Sequence, residues 1–452
     1  MLYDVSIERC IVVIKAGVAK VNITPPVGVL LSGYEARKKP SQGVHDELYA
    51  KALVLDDGDH KVALVVADLL YLDIDFTESV RRLIEESTGI DSQHVMVAVT
   101  HTHSGPVGSC LNFMHRLEDE RIVNSVEGMR EFVEDLRSVL ARKIAGSVYM
   151  AAQNTADVRI GVGKGTVSSV GANRRDPKGP MDTNVGVLRV EDLSGNVKAI
   201  VYNFACHPTV LSAENLLITA DYPGYASNVI EETKKDAVAL FTNGAFGDIS
   251  TRFTRRSQTF GEAERLGTIL AAEVLKTLEQ IETTDRVKIK ALSRGVRLPF
   301  KTLPSIEEAE KQVKEAERKL EVLKKRGASH GEIRVATTTW EGANMTLRFL
   351  KEGILKGKDV TSEVQVLAVS DMVFVGVPGE LFVEVGLEIK EKSGLENVYI
   401  VGCANDSVGY ILSSKAYEEE LYETGATPFS PVAGQRILDT ALEMIKEVTA
   451  KT

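Results

Sequence analysis

A chain of 452 residues is too long for one small core, and 44% hydrophobic with 26% charged residues is the balance of a folded globular protein, not a disordered or fibrous one. A formal net charge of -10 opposes binding to a polyanion. The densest basic stretch, Arg252, Arg255 and Arg256, is too short to follow a duplex, so no nucleic-acid partner is expected.

At the N-terminus, Asp4, Glu8 and Arg9 flank the short apolar run Cys10–Ile14, which is too short for a signal-peptide core or a membrane span. No other stretch approaches a transmembrane segment. Cys10, Cys110, Cys206 and Cys403 form no CxxC pair and read as isolated small hydrophobes of a reducing compartment. A cytoplasmic location is therefore expected. Abundant Lys and Glu with a single Trp is the bias of thermophile surfaces.

Ile11–Lys15 is β-branched and reads as a strand, and Thr24, Pro25, Pro26, Gly28 and Gly33 punctuate a loop. Lys51–Leu55 and Lys61–Ala67 read as a hairpin around Asp56, Asp57, Gly58 and Asp59. Thr77–Ser87 has helical spacing, and Val95–Val99 is a short buried strand. Strands interleaved with helices predict an α/β (α+β) fold, with mixed β-sheets sandwiched and flanked by helices.

His101 follows Val95–Val99 directly, at a strand end, where α/β folds collect ligand-binding groups. The same arrangement recurs down the chain. Ala199–Ala205 delivers Cys206, His207 and Pro208. Ala237–Thr242 delivers the loop from Asn243 to Ser250. Met372–Val377 delivers Pro378, Gly379 and Glu380, and Val398–Gly402 leads to Asn405, Gly409 and Tyr410. Between them, Ile306–Lys325 is charged with a narrow apolar stripe, and helical spacing resumes over Thr339–Leu350. This predicts a helical-hairpin insertion over 303–355, either projecting toward a partner in a homo-oligomer or packed as a solvated surface helix. No sequence repeat or low-complexity linker divides the chain, so one domain over 1–452 is expected.

The chain has eight histidines: His45, His60, His94, His101, His103, His115, His207 and His330. In an extended segment His101 and His103 point to the same side, as two ligands of one zinc would; polar loop residues would show the same spacing. His207 is a third candidate or a buried histidine bonded to backbone. Glu380 is a candidate carboxylate ligand or an acid complementing a helix N-terminus over Leu381–Lys390. Ser250 is a candidate nucleophile or a turn cap.

The segment VAVTHTHSGPVG around His101 resembles the signature of the neutral/alkaline (non-lysosomal) ceramidase family. Further blocks are similar in the family's order: AGVAKVNITPPVG, LSGY, GVHDELYAKALVL, ANRRDP, NFACHPT, ITADYPGYASNVIE, TNGAFGDIS, VPGE and GYILSSKAYEEELYE. They extend from Ala16 to about Thr427. The resemblance implies a zinc-dependent amidohydrolase cleaving the amide of a small-molecule N-acyl substrate through zinc-activated water. It implies Zn2+ ligation by His101, His207, Glu380 and Tyr410, with Tyr417 and Tyr422 as alternatives in the same block. It also implies that His103 moves the proton, Arg174 lines the pocket, and Ser250 is a nucleophile or substrate contact. A zinc esterase or lactonase on the same site, and a non-catalytic binding homologue, are the alternatives.

The secretion signal and C-terminal immunoglobulin-like domain usual in the family are not expected here. The helical hairpin is a departure from it, as is Thr251–Arg252 after GDIS. Arg174, Arg252 and Arg255 would suit an anionic head such as that of an N-acyl amino acid.

Overall fold

The computed structural model describes residues 13–34, 36–110, 129–328, 330–353, 359–419 and 421–450. Cys10, Ile11 and His115 lie outside them. Eight strands form one sheet: β1 (Lys15–Asn22), β2 (Tyr49–Asp56), β3 (Lys61–Ala67), β4 (Val95–Val99), β5 (Ala156–Thr166), β6 (Asn184–Asp192), β7 (Val197–Phe204) and β8 (Val238–Asn243). Their order is β8-β7-β6-β5-β1-β2-β3-β4. A four-stranded sheet follows chain order: β9 (Ile289–Leu298), β10 (Val360–Val369), β11 (Met372–Gly376) and β12 (Asn397–Val401).

The helices are α1 (Ile74–Thr88), α2 (Met129–Gln153), α3 (Asp221–Thr233), α4 (Phe260–Leu278), α5 (Ile306–Lys325), α6 (His330–Lys351), α7 (Val383–Ser393), α8 (Tyr422–Ala426) and α9 (Val432–Thr449). Local sequence sets their limits. In α1 the Asp73 side chain accepts the Phe76 amide at the start, Phe76, Val80 and Ile84 line one buried face, and Gly89 at φ 71° ends it.

Strand alternation stacks the layers. Val62, Leu64 and Val66 of β3 meet Leu367, Phe374 and Tyr399 of the second sheet. Ala63, Val65 and Ala67 face Phe76 and Val80 of α1 and Leu140 and Ile144 of α2. On the same outer side, Ile200 and Phe241 pack on Ile230 of α3 and Leu270 of α4. Across the molecule, Val366 and Val375 pack on Ile389 of α7 and Ile437 of α9. Two sheets face each other between two helical layers, the sandwiched and flanked arrangement expected from the sequence.

The connectivity repeats three times. In β1–β2–β3, β5–β6–β7 and β9–β10–β11 three strands run antiparallel, a helix (α1, α3, α7) crosses over, and a fourth strand (β4, β8, β12) pairs parallel to the third. A further helix (α2, α4, α9) then covers each unit. The first two units join where Lys15 and Ala16 of β1 pair with Asp157 and Ala156 of β5. The third forms the smaller sheet, and its first two strands are separated by α5 and α6.

The α5 helix carries Glu307 and Glu308 in its first turn and Lys324 and Lys325 in its last, matching the helix dipole. Its partner α6 lies along α8, where the Thr346 hydroxyl donates to Gly425 O at 3.0 Å. No described helix is long and apolar enough to cross a membrane.

Candidate metal centre

The candidate site lies where the third and fourth strands of the units end. His101, just past β4, has φ 68°, a left-handed conformation that non-glycine residues rarely adopt. Two backbone bonds hold it there: its amide donates to Leu69 O at 3.0 Å and its Nδ1 to Leu70 O at 2.9 Å. Strain retained in this way is a mark of functional positions.

His103 Nδ1 donates to Gly33 O at 2.8 Å, and His207 Nδ1 to Phe246 O and Ile249 O, both at 2.9 Å. A carbonyl oxygen only accepts, so each Nδ1 carries its ring's proton and each Nε2 presents a lone pair. The Nε2 atoms of His101 and His103 are buried with no hydrogen-bond partner among the described residues. Ligand nitrogens of His101, His103 and His207 all lie within 4.8 Å of one another.

Glu380 enters from the third unit. Its Oε2 lies 2.9 Å from His207 Nε2 and 3.7 Å from His101 Nε2, and its Oε1 accepts the Tyr71 hydroxyl at 2.9 Å. Burial holds all three imidazoles well below their ordinary pKa, and Arg174 depresses His207 further. Burial thus favours the neutral rings, and His207 Nε2 lies 2.9 Å from a Glu380 carboxyl oxygen, a spacing that a bound cation would suit. Buried imidazole nitrogens whose second nitrogen is fixed by a carbonyl, together with one carboxylate, are the donor set of a zinc-type divalent ion.

Arg174 closes one side. Its Nη1 is 3.4 Å from His207 Nε2, its Nη2 donates to Tyr410 Oη at 3.1 Å, and its Nε donates to Glu423 Oε1 at 2.8 Å. Burial opposes its charge, but the hydrogen bond to Tyr410 and the nearby Glu423 and Glu380 side chains outweigh burial and hold its pKa above the usual value. Burial also raises the Tyr410 pKa strongly, keeping that hydroxyl protonated.

Glu380–Leu381 pairs parallel with Tyr410–Ile411, which fixes Tyr410 beside the carboxylate. Tyr417 donates instead to Phe429 O at 2.8 Å, and Tyr422 packs its ring 6.0 Å from that of Tyr410. Of the three tyrosines, Tyr410 bonds directly to the Arg174 group. Glu380 lies ahead of α7 and outside its first turn, so it turns toward the histidines and not toward a helix end.

Ser250 is buried beside His207, and its Oγ accepts the Arg252 amide at 3.3 Å, capping the short turn Thr251–Phe253. No histidine bonds its hydroxyl among the described residues. Arg252 and Arg255 donate to the carbonyls of Arg174 and Thr209.

Two site residues carried no signal of their own in the sequence. Tyr71 lies past the end of β3 as Glu380 lies past the end of β11, and it also packs edge-on to His101 with ring centroids 5.1 Å apart. Glu423, which holds Arg174, comes from the five-residue helix α8. Only the strand-end position, read for the first unit as for the other two, would have singled out Tyr71.

Residues 14–262 match the sequence model described as "Neutral/alkaline non-lysosomal ceramidase, N-terminal". The chain belongs to this family. The neutral ceramidases of Drosophila pseudoobscura and Drosophila melanogaster are each 29% identical over 261 residues, which is 52% of this chain and 36% of those proteins. The chain thus matches about a third of their length. Neutral ceramidase of Pseudomonas aeruginosa is 23% identical over 478 residues, covering 92% of this chain and 69% of that protein. Its crystal structure superposes with a TM-score of 0.73 over 98% of this chain and 76% of that one, at 20% identity, and so shares the ceramidase fold. The family match ends within α4, so Glu380, Tyr410 and Glu423 lie beyond it.

Proposed function

We propose that this chain is a zinc-dependent amidohydrolase that cleaves the amide bond of an N-acyl substrate. The observation that carries the reading is the gathering of three imidazoles beside the Glu380 carboxyl group, with the buried Nε2 atoms of His101 and His103 lacking a hydrogen-bond partner among the described residues. His101, His207 and Glu380 would hold the ion, with Tyr410 completing the set. A bound zinc supplies Lewis acidity, polarising a carbonyl and lowering the pKa of water.

The chain's own groups supply the rest. His103, neutral and with its Nε2 unpartnered, can take a proton from the attacking water and pass it to the leaving amine. Tyr410 accepts from Arg174, which leaves its own proton free to donate to the carbonyl oxygen as negative charge develops there. Arg174 holds a positive charge against that side of the pocket. Ser250, committed to a turn and lacking a histidine base, fits a substrate contact better than a nucleophile.

The test is metal analysis of purified protein, with hydrolysis of fluorescent ceramide and of N-acyl amino acids measured before and after chelation. About one zinc per chain, activity abolished by chelation and restored by zinc, and loss of both in His101→Ala is the expected result. Undiminished hydrolysis in fully chelated protein would sink the proposal. The N-acyl amino acids are included because Arg174 lies in the site and Arg252 donates to its carbonyl; a clear preference for ceramide would dismiss an anionic head.

A further inference from the structure

The first-to-second strand connection of each unit reaches toward the site. In the first unit, between β1 and β2, it supplies the Gly33 carbonyl that holds His103. In the second, between β5 and β6, it supplies Arg174 itself. In the third, between β9 and β10, it is the helical hairpin α5–α6, which among the described residues makes no hydrogen bond or ion pair to the metal-centre residues.

The hairpin touches α8 instead. Five residues make too short a helix to stand alone, so α8 is held from outside. Lys301 Nζ donates to Thr424 O at 2.8 Å and Gly425 O at 3.1 Å, and Thr346 of α6 donates to Gly425 O at 3.0 Å. The backbones of α6 and α8 meet at two glycines. A Cβ on Gly425 would lie 2.5 Å from the carbonyl carbon and oxygen of Gly342, and one on Gly342 would lie 3.0 Å from Tyr422 O.

Glu423 on α8 spans both arginines, with its Oε1 2.8 Å from Arg174 Nε and its Oε2 3.5 Å from Arg175 Nη1. The Glu423 and Arg174 side chains are only 5% and 10% exposed, so the pair is desolvated and its geometry is firm. Arg174 in turn reaches Tyr410 Oη and His207 Nε2.

We propose that the hairpin is the support of the arginine side of the site: α6 seats α8, and Glu423 is a positioning residue that aims Arg174 at Tyr410. The proposal rests on the role given to Arg174 in the hydrolase reading above. The hairpin thereby does for the third unit what the corresponding connections do for the first two.

Three variants test it in the full chain: Glu423→Gln, Gly342→Leu and Arg174→Ala. The first readout is hydrogen–deuterium exchange, which needs no substrate. Gly342→Leu should deprotect 422–426 together with 172–176, while β4 and β7 stay protected; unchanged exchange at 172–176 overturns the proposal. Where Gly342→Leu does not fold, Thr346→Val removes the α6–Gly425 bond and is read in the same way.

The second readout is hydrolysis of fluorescent ceramide or N-acyl amino acid, whichever is turned over. Glu423→Gln should lower kcat about tenfold with KM within about twofold and zinc content unchanged, the signature of a lost transition-state contact. In an Arg174→Ala background the same change should have no further effect. An impaired Arg174→Ala beside an unaffected Glu423→Gln overturns the positioning proposal alone. A fully active, zinc-loaded Arg174→Ala overturns the role given to Arg174, and the proposal with it.

Discussion

Replacing Glu380 by Gln separates the cost of the charged carboxylate from the benefit of a bound ion. Glu380 Oε2 stands 2.9 Å from His207 Nε2 and 3.7 Å from His101 Nε2, so with an ion chelated away these acceptor atoms would face one another. Glutamine keeps the shape, removes the buried charge and offers an N–H to His207. The Tyr71 hydroxyl, already donating to Oε1, orients the amide so that its nitrogen faces the imidazole. A buried hydrogen bond contributes about 1 kcal/mol, and an unsatisfied buried polar group costs ~1–3 kcal/mol. Metal-free Glu380→Gln should therefore be more stable than metal-free wild type by ~2 kcal/mol. An ion at a hundred times its Kd stabilises wild type by ~2.7 kcal/mol. With an unfolding entropy of roughly 2.1 cal/mol/K per residue over 452 residues, that is a rise in Tm of ~3 °C. Scanning calorimetry of chelated and zinc-loaded protein reads both effects. The variant should start ~2 °C higher and gain little from zinc, whereas wild type should gain ~3 °C. A chelated variant no more stable than chelated wild type, with zinc raising both equally, would refute the reasoning.

Tyr71→Phe removes the donor that fixes Glu380 Oε1, and zinc affinity measured by chelator competition should fall ~10–100-fold with the fold intact; unchanged affinity removes Tyr71 from the site. Burial lowers Lys301 to about 8. The folded chain therefore binds that proton less tightly than the unfolded chain, whose lysine titrates near ~10.4, and wild-type stability should rise between those pH values by something on the order of 3 kcal/mol. Denaturant titrations of Lys301→Met across that range should lack this rise, and an equal slope in both proteins would count against it. At the sheet interface, a Cβ on Gly186 would lie 2.3 Å from the Tyr399 ring. Gly186→Ala should lower the urea midpoint by an amount worth ~1–3 kcal/mol, and a midpoint unchanged from wild type would mean that the sheets can part without strain.

Much of the site was legible because its residues directly follow apolar strands. β4 (VMVAV) and β11 (MVFVG) are buried along their whole length, and the polar residues just beyond such strands lie at the sheet edge, as His101 and Glu380 do. The helix read from Thr339 in fact starts at His330. Thr337, Thr338 and Thr339 are weak helix formers that hid its first half, and packing of α6 on α5 and α8 overrides that preference. Tyr71 and Glu423 were invisible for a different reason. Each acts through a partner 309 or 249 residues away, and nothing local marks such a pair.

The threefold connectivity was equally hidden, because it resides in strand order and not in shared residues. Yet it accounts for the composition of the centre. The third strands of the three units lead to Tyr71, His207 and Glu380, a hydroxyl donor, an imidazole and a carboxyl group. Three copies of one residue would have given three like groups: three carboxylates would repel without a metal, and three tyrosines would bind none. The different residues at this one structural position instead set a single carboxyl group among the imidazoles. A divalent ion there would leave the centre with one net positive charge before Arg174 is counted, and Arg174 would add another from the Tyr410 side. On the proposed hydrolase reading, that surplus would stabilise an oxyanion forming on an amide carbonyl, and a second acidic residue among the three positions would cancel it.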